Sequence, residues 1–181
     1  MPVRAFVAIF PPEKVQKALL RDAQLVPVSG NIRWVQPANV HLTLKFLGDV
    51  SSDRLEGVKD ALASVARRYS PLRIQPCGLG AFPSIRKARV LWAGVDEGST
   101  TLSGLAEDVE DVLEPLGFER ESKRYRPHLA LGRIRGRPGT LPEGARTIAP
   151  AFTASCLDLV QSQLDSSGAT YTKLESFELT G

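Results

Sequence analysis

His41-Leu42-Thr43-Leu44 and His128-Leu129-Ala130-Leu131 are nearly one phrase written twice, and the chain uses histidine nowhere else. In an extended strand, residues i and i+2 point to one face while i+1 and i+3 point to the other. Each phrase therefore reads as a strand that buries two leucines and holds an imidazole on its opposite face. A lone strand histidine is more often structural than catalytic, since histidine is intermediate in burial. Two histidines sharing a four-residue context have no common structural need. Two imidazoles on two rigid strands can supply a paired acid and base near neutral pH.

Around these phrases the hydrophobic period switches between two and three-to-four. Val3 to Phe10 reads as a first strand, and Pro11-Pro12-Glu13 opens a helix with Val15, Ala18 and Leu19 as its stripe. Ile32 to Val35 is a short strand, Pro37-Ala38-Asn39 a turn, and Val40 to Leu47 the strand of the first histidine. Asp53 with Glu56 resembles a helix-capping pair, followed by Leu55, Val58, Leu62, Val65 and Tyr69 at helical spacing. Strands are expected at Leu72 to Cys77, Leu79 to Phe82 and Arg89 to Val95, then a helix carrying Leu102, Leu105, Val109, Val112, Leu113 and Leu116. The second histidine strand spans Pro127 to Ile134. A basic Gly/Pro loop from Gly136 to Gly144 has no period and is expected to be mobile, and strands near Phe152 to Gln161 and Thr170 to Leu179 close the chain. Strands with hairpin-like neighbours and separate helices favour an α+β fold over a doubly wound one. The two halves echo each other. The expectation is one domain over residues 1–181: bilobal, pseudo-two-fold, with antiparallel sheets flanked by helices and the two histidine strands facing across a central cleft that holds the active site.

With 181 residues, 43% hydrophobic and 24% charged, the chain can bury a sizeable core. It contains no apolar run of bilayer length and no signal-peptide cleavage pattern, so no membrane partner is expected. Cys77 and Cys156 stand apart without metal-ligand spacing and read as small core residues, which makes the cytoplasm the expected compartment. The net charge of +3 is small, but its distribution is uneven. Arg120, Lys123, Arg124, Arg126, Arg133, Arg135 and Arg137 crowd around His128 against Glu121 alone, and Arg86, Lys87 and Arg89 form a second basic group. Charge runs are usually solvated surface. This one brackets one of only two histidines, which points to a phosphate-bearing partner.

Metal binding suits the pair poorly, because two histidines without a nearby Asp, Glu or Cys lack the third protein ligand that zinc requires. No Gly-x-Ser-x-Gly elbow is present for a serine hydrolase. Phosphodiester cleavage fits well. A base activates the attacking oxygen, an acid protonates the departing one, and in-line displacement puts the two on opposite sides of phosphorus.

The chain resembles the two-histidine phosphoesterases, in particular the RNA 2′,3′-cyclic phosphodiesterases of the LigT type. The resemblance rests on Arg4-Ala5-Phe6-Val7-Ala8-Ile9, His41-Leu42-Thr43-Leu44-Lys45-Phe46-Leu47-Gly48 and Arg89-Val90-Leu91-Trp92-Ala93-Gly94. Pro127-His128-Leu129-Ala130-Leu131-Gly132-Arg133 and the closing Ser162-Gln163-Leu164, Gly168-Ala169-Thr170-Tyr171 and Leu174 complete it, in order and over essentially the full length. It implies His41 as proton donor and His128 as proton acceptor, with no metal and no cofactor. Water activated by His128 would open the cyclic phosphate, and His41 would protonate the departing 3′ oxygen, leaving a 2′-phosphomonoester. Thr43 matches the family's phosphate-binding hydroxyl, and Arg133 matches an arginine that balances charge on the phosphate. Strict alternation from His128 would aim Arg133 at the wrong face, unless Gly132 marks a bulge.

The chain departs from the pattern at Ala130, where the family has Thr or Ser, so one phosphate donor is missing. Lys45, Arg126, Arg124, Arg86 and Lys87 are candidate RNA contacts. The implied partner is RNA with a 2′,3′-cyclic phosphate end, or a cyclic nucleotide, bound by a monomer. Two alternatives stand beside hydrolysis: RNA end-joining through a 2′-5′ linkage, which is the same chemistry reversed, and a nucleotide-binding module that has lost turnover.

Overall fold

The computed structural model of the chain describes residues 2–166 and 168–181. Its elements follow as β1 (Val3–Ile9), α1 (Glu13–Leu25), β2 (Asn31–Trp34), β3 (Leu42–Val50), α2 (Ser52–Ala66), β4 (Leu72–Ile74) and β5 (Pro76–Phe82). Then come β6 (Val90–Val95), α3 (Ser99–Leu113), β7 (His128–Arg135), β8 (Phe152–Ala154), β9 (Cys156–Asp165) and β10 (Gly168–Glu178). The large sheet runs β10-β9-β1-β3-β7-β6-β5, with β2 added against β7, while β4 and β8 form a separate pair. These pairings are antiparallel, as the α+β expectation requires.

The two lobes share one sheet. β10-β9-β1-β3 builds one half and β7-β6-β5 with β2 the other, and they meet where Leu42 pairs with Leu129. The histidine strands thus come together at this one pair, where the two lobes join. Leu42 and Leu129 are both fully buried. Burying a leucine side chain contributes about 1.5–3 kcal/mol, against a net 0.5–1.5 for one backbone hydrogen bond. Packing beneath the seam therefore fixes it more than the ladder does. Leu44 and Leu131 join that core, with Leu19 of α1, Val58 and Leu62 of α2, and Leu102, Leu105 and Val109 of α3. The helical layer covers this face and leaves the histidines on the other.

One detail of register decides where the following residues point. On β3, Thr43 pairs with Ala8 but Lys45 with Val7, so Leu44 is an extra residue. On β7, Ala130 pairs with Trp92 but Gly132 with Leu91, so Leu131 is extra too. Both histidine strands bulge at the fourth position of their phrase, and each bulge reverses the alternation beyond it.

Several boundaries differ from the expectation. β3 begins at Leu42, so His41 sits just before the strand, and α2 starts at Ser52 behind an N-cap at Ser51 in place of the Asp53–Glu56 pair. The run from Leu72 divides at Gln75, whose side-chain amide donates to the Pro76 and Ala149 carbonyls. The 136–144 segment, expected to be mobile, is tied down. Gly139 exchanges backbone bonds with Ala88, Ser29 and Thr140 are linked through backbone and side chain, and the Leu141 N–H reaches the Ile85 carbonyl at 2.8 Å. Aperiodicity reflected pairing with distant loops, which a local pattern does not reveal. No described helix is long and apolar enough to cross a membrane.

Candidate active site

A 3₁₀ turn at Pro37–Asn39 delivers the chain to His41. Two tethers hold it: the Gln16 side-chain amide donates to the Val40 carbonyl at 2.9 Å, and the Asn39 amide to the Ala169 carbonyl of β10 at 2.8 Å. The Asn39 carbonyl then accepts from His41 Nδ1 at 2.7 Å. A carbonyl only accepts, so Nδ1 carries the proton and Nε2 is the nitrogen that titrates. Nε2 lies 2.8 Å from Thr43 Oγ1. Three aromatic rings close around the imidazole: Phe6 at 5.0 Å, Phe10 at 5.2 Å and Tyr171, edge-on, at 5.2 Å between centroids. Phe6 and Ala8 pack with Val160 into a small satellite core on this face. Burial in that setting holds His41 below the usual histidine range, the hydrogen bond to the Asn39 carbonyl opposes it, and the nearby His128 lowers it further.

His128 repeats the anchor. Its Nδ1 donates to the carbonyl two residues back, that of Arg126, at 2.7 Å. Pro127 holds Arg126 in extended backbone, which helps aim that carbonyl. Phe82 stands edge-on to the imidazole at 5.1 Å and Trp92 at 6.3 Å. Here the surroundings are open: a cavity of about 660 Å³ adjoins His128, lined by Phe82, Trp92, Tyr125, Arg124 and Arg126 among others.

Extending the Leu42–Leu129 register by one residue places His41 across from Ala130 and Thr43 across from His128. The four positions form a square on one face, with the two histidine positions on its diagonal, a backbone spacing of about 7–8 Å in an antiparallel pair. The bulge at Leu131 turns Arg133 onto this face, where its charge opposes the burial-driven rise of the Tyr171 phenol. Gly132, anticipated as the irregular residue, is instead the first one past it.

The same device removes Lys45. The bulge at Leu44 turns its side chain under the sheet, where it is 2% exposed. Lys45 Nζ lies 2.5 Å from Glu110 Oε2 of α3 and 2.6 Å from the Glu119 carbonyl. Lys45 is therefore not an RNA contact. It pins α3 and the segment leading to His128. Arg124 and Arg126 do reach the cavity, whereas Arg86 and Lys87 are exposed in the turn between β5 and β6, outside its lining. Phe6, Phe10, Tyr171, Phe82 and Trp92 were missed as site residues by sequence reasoning. The available signal was parity: Phe6 on β1 and Phe10 just past its end lie an even distance apart, beside the first phrase.

A family model described as LigT like Phosphoesterase matches residues 9–92, which takes in the first histidine phrase. A protein of Aquifex aeolicus named RNA 2′,3′-cyclic phosphodiesterase is 35% identical, with 99% of this chain and 98% of that one aligned. A Thermus thermophilus crystal structure superimposes with a TM-score of 0.86 at 30% identity, covering 98% of each chain. The crystal structure of E. coli LigT complexed with 3′-AMP gives 0.80 at 25% identity over the full length of both. Full-length likeness at this level extends past Trp92 to the second phrase, and the chain belongs to the LigT-like phosphoesterase family.

Proposed function

We propose that this chain hydrolyses the 2′,3′-cyclic phosphate ends of RNA, with His41 as general acid and His128 as general base. The observation that carries the proposal is the pair of neighbouring histidines, each fixed by an Nδ1 bond to a backbone carbonyl that leaves Nε2 as its titrating nitrogen, on strands joined at Leu42 and Leu129. His128 Nε2 takes a proton from water, whose oxygen attacks phosphorus. The bond to O3′ breaks in line, and His41 Nε2 gives O3′ its proton, leaving the phosphate on O2′. Thr43 Oγ1 and the Arg133 guanidinium stabilise the non-bridging oxygens. Acid and base end each turnover exchanged, and a solvent proton transfer restores them.

A donor with a lowered pKa is a stronger acid, which suits protonation of an alkoxide-like leaving group. The anionic substrate beside His41 offsets part of that lowering and loads the proton when it binds. Relatives that carry the phosphodiesterase name, together with the basic side chains Arg124 and Arg126 beside His128, support RNA over a free nucleotide as substrate. Unpaired Cys77 and Cys156 suit a reducing, cytoplasmic setting. The test is hydrolysis of 2′,3′-cyclic AMP in the presence of EDTA, with chromatography of the product. Release of 2′-AMP is expected. Tight binding without turnover would reassign the chain as a binding module, and 3′-AMP as product would reverse the assignment of the departing oxygen.

A further inference from the structure

We propose that the cavity beside His128 is a second nucleoside subsite, on the side of phosphorus opposite the ribose that bears the cyclic phosphate. The inference rests on the acid and base roles proposed above and adds a ligand position to them. In-line geometry keeps the departing O3′, and with it the cyclic ribose, on the His41 side. Whatever is joined to phosphorus through the opposite oxygen extends past His128, and there the surface is hollow.

Its volume of about 660 Å³ falls in the range of small-ligand sites, larger than one attacking water needs. Its walls suit a nucleobase. Phe82 and Trp92 lie 5.1 Å apart beside His128, and aromatic rings at such spacing are stacking platforms for bases of any sequence. The indole is seated by the backbone opposite: a side chain at Gly80 would stand 2.3 Å from it. Arg124 and Arg126 at the rim supply charge for a flanking phosphate. A second, independent sign comes from hydrogen bonding. Among the described residues, two buried side-chain polar atoms lack a partner, Trp92 Nε1 and Tyr125 Oη, and both residues line this cavity. Buried polar groups are nearly always satisfied, so two orphans in the lining of one cavity mark a place completed by something else. Burial pushes the Tyr125 phenol up, so it stays a neutral donor. A base that parts the wall slightly on entry offers ring nitrogens and exocyclic groups to both.

The His41 side contrasts sharply. There Phe6, Phe10 and Tyr171 pack directly on the imidazole.

The probe is a 2′→5′-linked adenosine dinucleotide whose first ribose lacks the 3′-hydroxyl, so that the linkage cannot be broken by internal attack. Its comparator is the same 3′-deoxyadenosine carrying a methyl ester on the 2′-phosphate, which has equal charge and no second nucleoside. Affinities are read by quenching of tryptophan emission in the Trp34→Phe background, where Trp92 alone reports. The dinucleotide is expected to bind at least about tenfold more tightly, the effect of one stacked base. In Phe82→Leu and in Tyr125→Phe the ratio of the two affinities should fall toward one, each variant's own methyl-ester affinity serving as its folding control. A wild-type ratio near one overturns the subsite whatever the variants do, and a ratio that survives Phe82→Leu places the second base elsewhere and overturns it too. Hydrolysis of 2′,3′-cyclic AMP is scored separately. Turnover with a ratio near one removes the subsite and keeps the enzyme, and a large ratio without turnover does the reverse.

Discussion

The half of the sheet around His41 and the half around His128 share a backbone and differ in their side chains. In both, a histidine donates Nδ1 to the carbonyl two residues earlier, the next leucine is fully buried, and the fourth residue bulges. Yet His41 is wrapped by three aromatic rings and bonded to Thr43, while His128 faces an open cavity beside Ala130. The residue two places past the bulge is Phe46, 64% exposed, in one half and Arg133 in the other. The repeated backbone supplies two anchored imidazoles. The unequal surroundings suit the unequal tasks proposed for them, in the way that environment separates acid from base in other paired sites.

Removing either imidazole is the largest expected effect. His41→Ala and His128→Ala should each lower cyclic-phosphate turnover by about 10²–10⁴-fold, the usual scale of one acid or base. The halves differ in how an outside base can help. His128 borders the cavity, so added imidazole should restore part of the rate in His128→Ala. His41 sits inside packed rings, so it should restore much less in His41→Ala. Steady-state rates with and without imidazole read this directly, and equal rescue in the two variants would erase the contrast.

The bulge at Leu44 is tested by stability. Lys45→Met leaves the Glu110 carboxylate without its partner beneath the sheet, and breaking a buried pair from one side costs about 3–5 kcal/mol. Removing Glu110 as well, in Lys45→Met/Glu110→Leu, should recover most of that loss. Urea unfolding measures both. A cost below about 1 kcal/mol for the single variant is what an exposed cation gives, and would put Lys45 back on the cleft face.

Much of this arrangement was legible in the chain, and the failures have one cause. Period-two alternation found the leucine face and the histidine face in both strands, because burial on one side of a sheet leaves a local imprint. It misassigned Lys45 and left Arg133 in question because each lies beyond a bulge, and a bulge is set by the register against β1 or β6, not by the residues beside it. The aromatic cage was invisible for a similar reason. Phe6, Phe10 and Tyr171 come from opposite ends of the chain, and only the sheet order brings them to His41. That the two histidine strands would touch through a single pair, Leu42 with Leu129, was not legible, because nothing local distinguishes adjacent strands from opposed ones.

Ala130 is the point where the halves most nearly match and fall short. It stands across from His41 on one side and Trp92 on the other, on the face where Thr43 stands in the first phrase. The indole leans toward Gly80 on β5. Ala130→Thr should therefore add a hydroxyl beside the phosphate and raise turnover severalfold. One well-placed donor is worth about 2.7–4 kcal/mol in an enclosed oxyanion site, and less where solvent reaches the cleft. Unchanged rate together with unchanged phosphate affinity would move residue 130 away from the substrate and undo the square on which the site is built.

The smallest effect is a titration, and the composition makes it clean. With two histidines in the chain, two imidazole Hε1 resonances report the two halves separately, assigned with the alanine variants. His41 should titrate below its ordinary value of 6.5, because burial disfavours its charged form and His128 adds to the cost. Phe10→Ala, which opens the cage, should move its midpoint upward, and so should inorganic phosphate bound between the rings. The same displacement sets a sign for folding. Between the lowered midpoint and 6.5 the unfolded chain binds more protons at this site than the native one, so the contribution of His41 to stability rises with pH across that window. It is fully present above 6.5 and is lost as pH falls through the native midpoint. Replacing His41 with a residue that does not titrate should flatten that slope while leaving the rest of the acid limb in place. A His41 midpoint at or above the ordinary value would mean that the rings around it do not exclude water. The difference between the two halves would then rest on the cavity beside His128 alone.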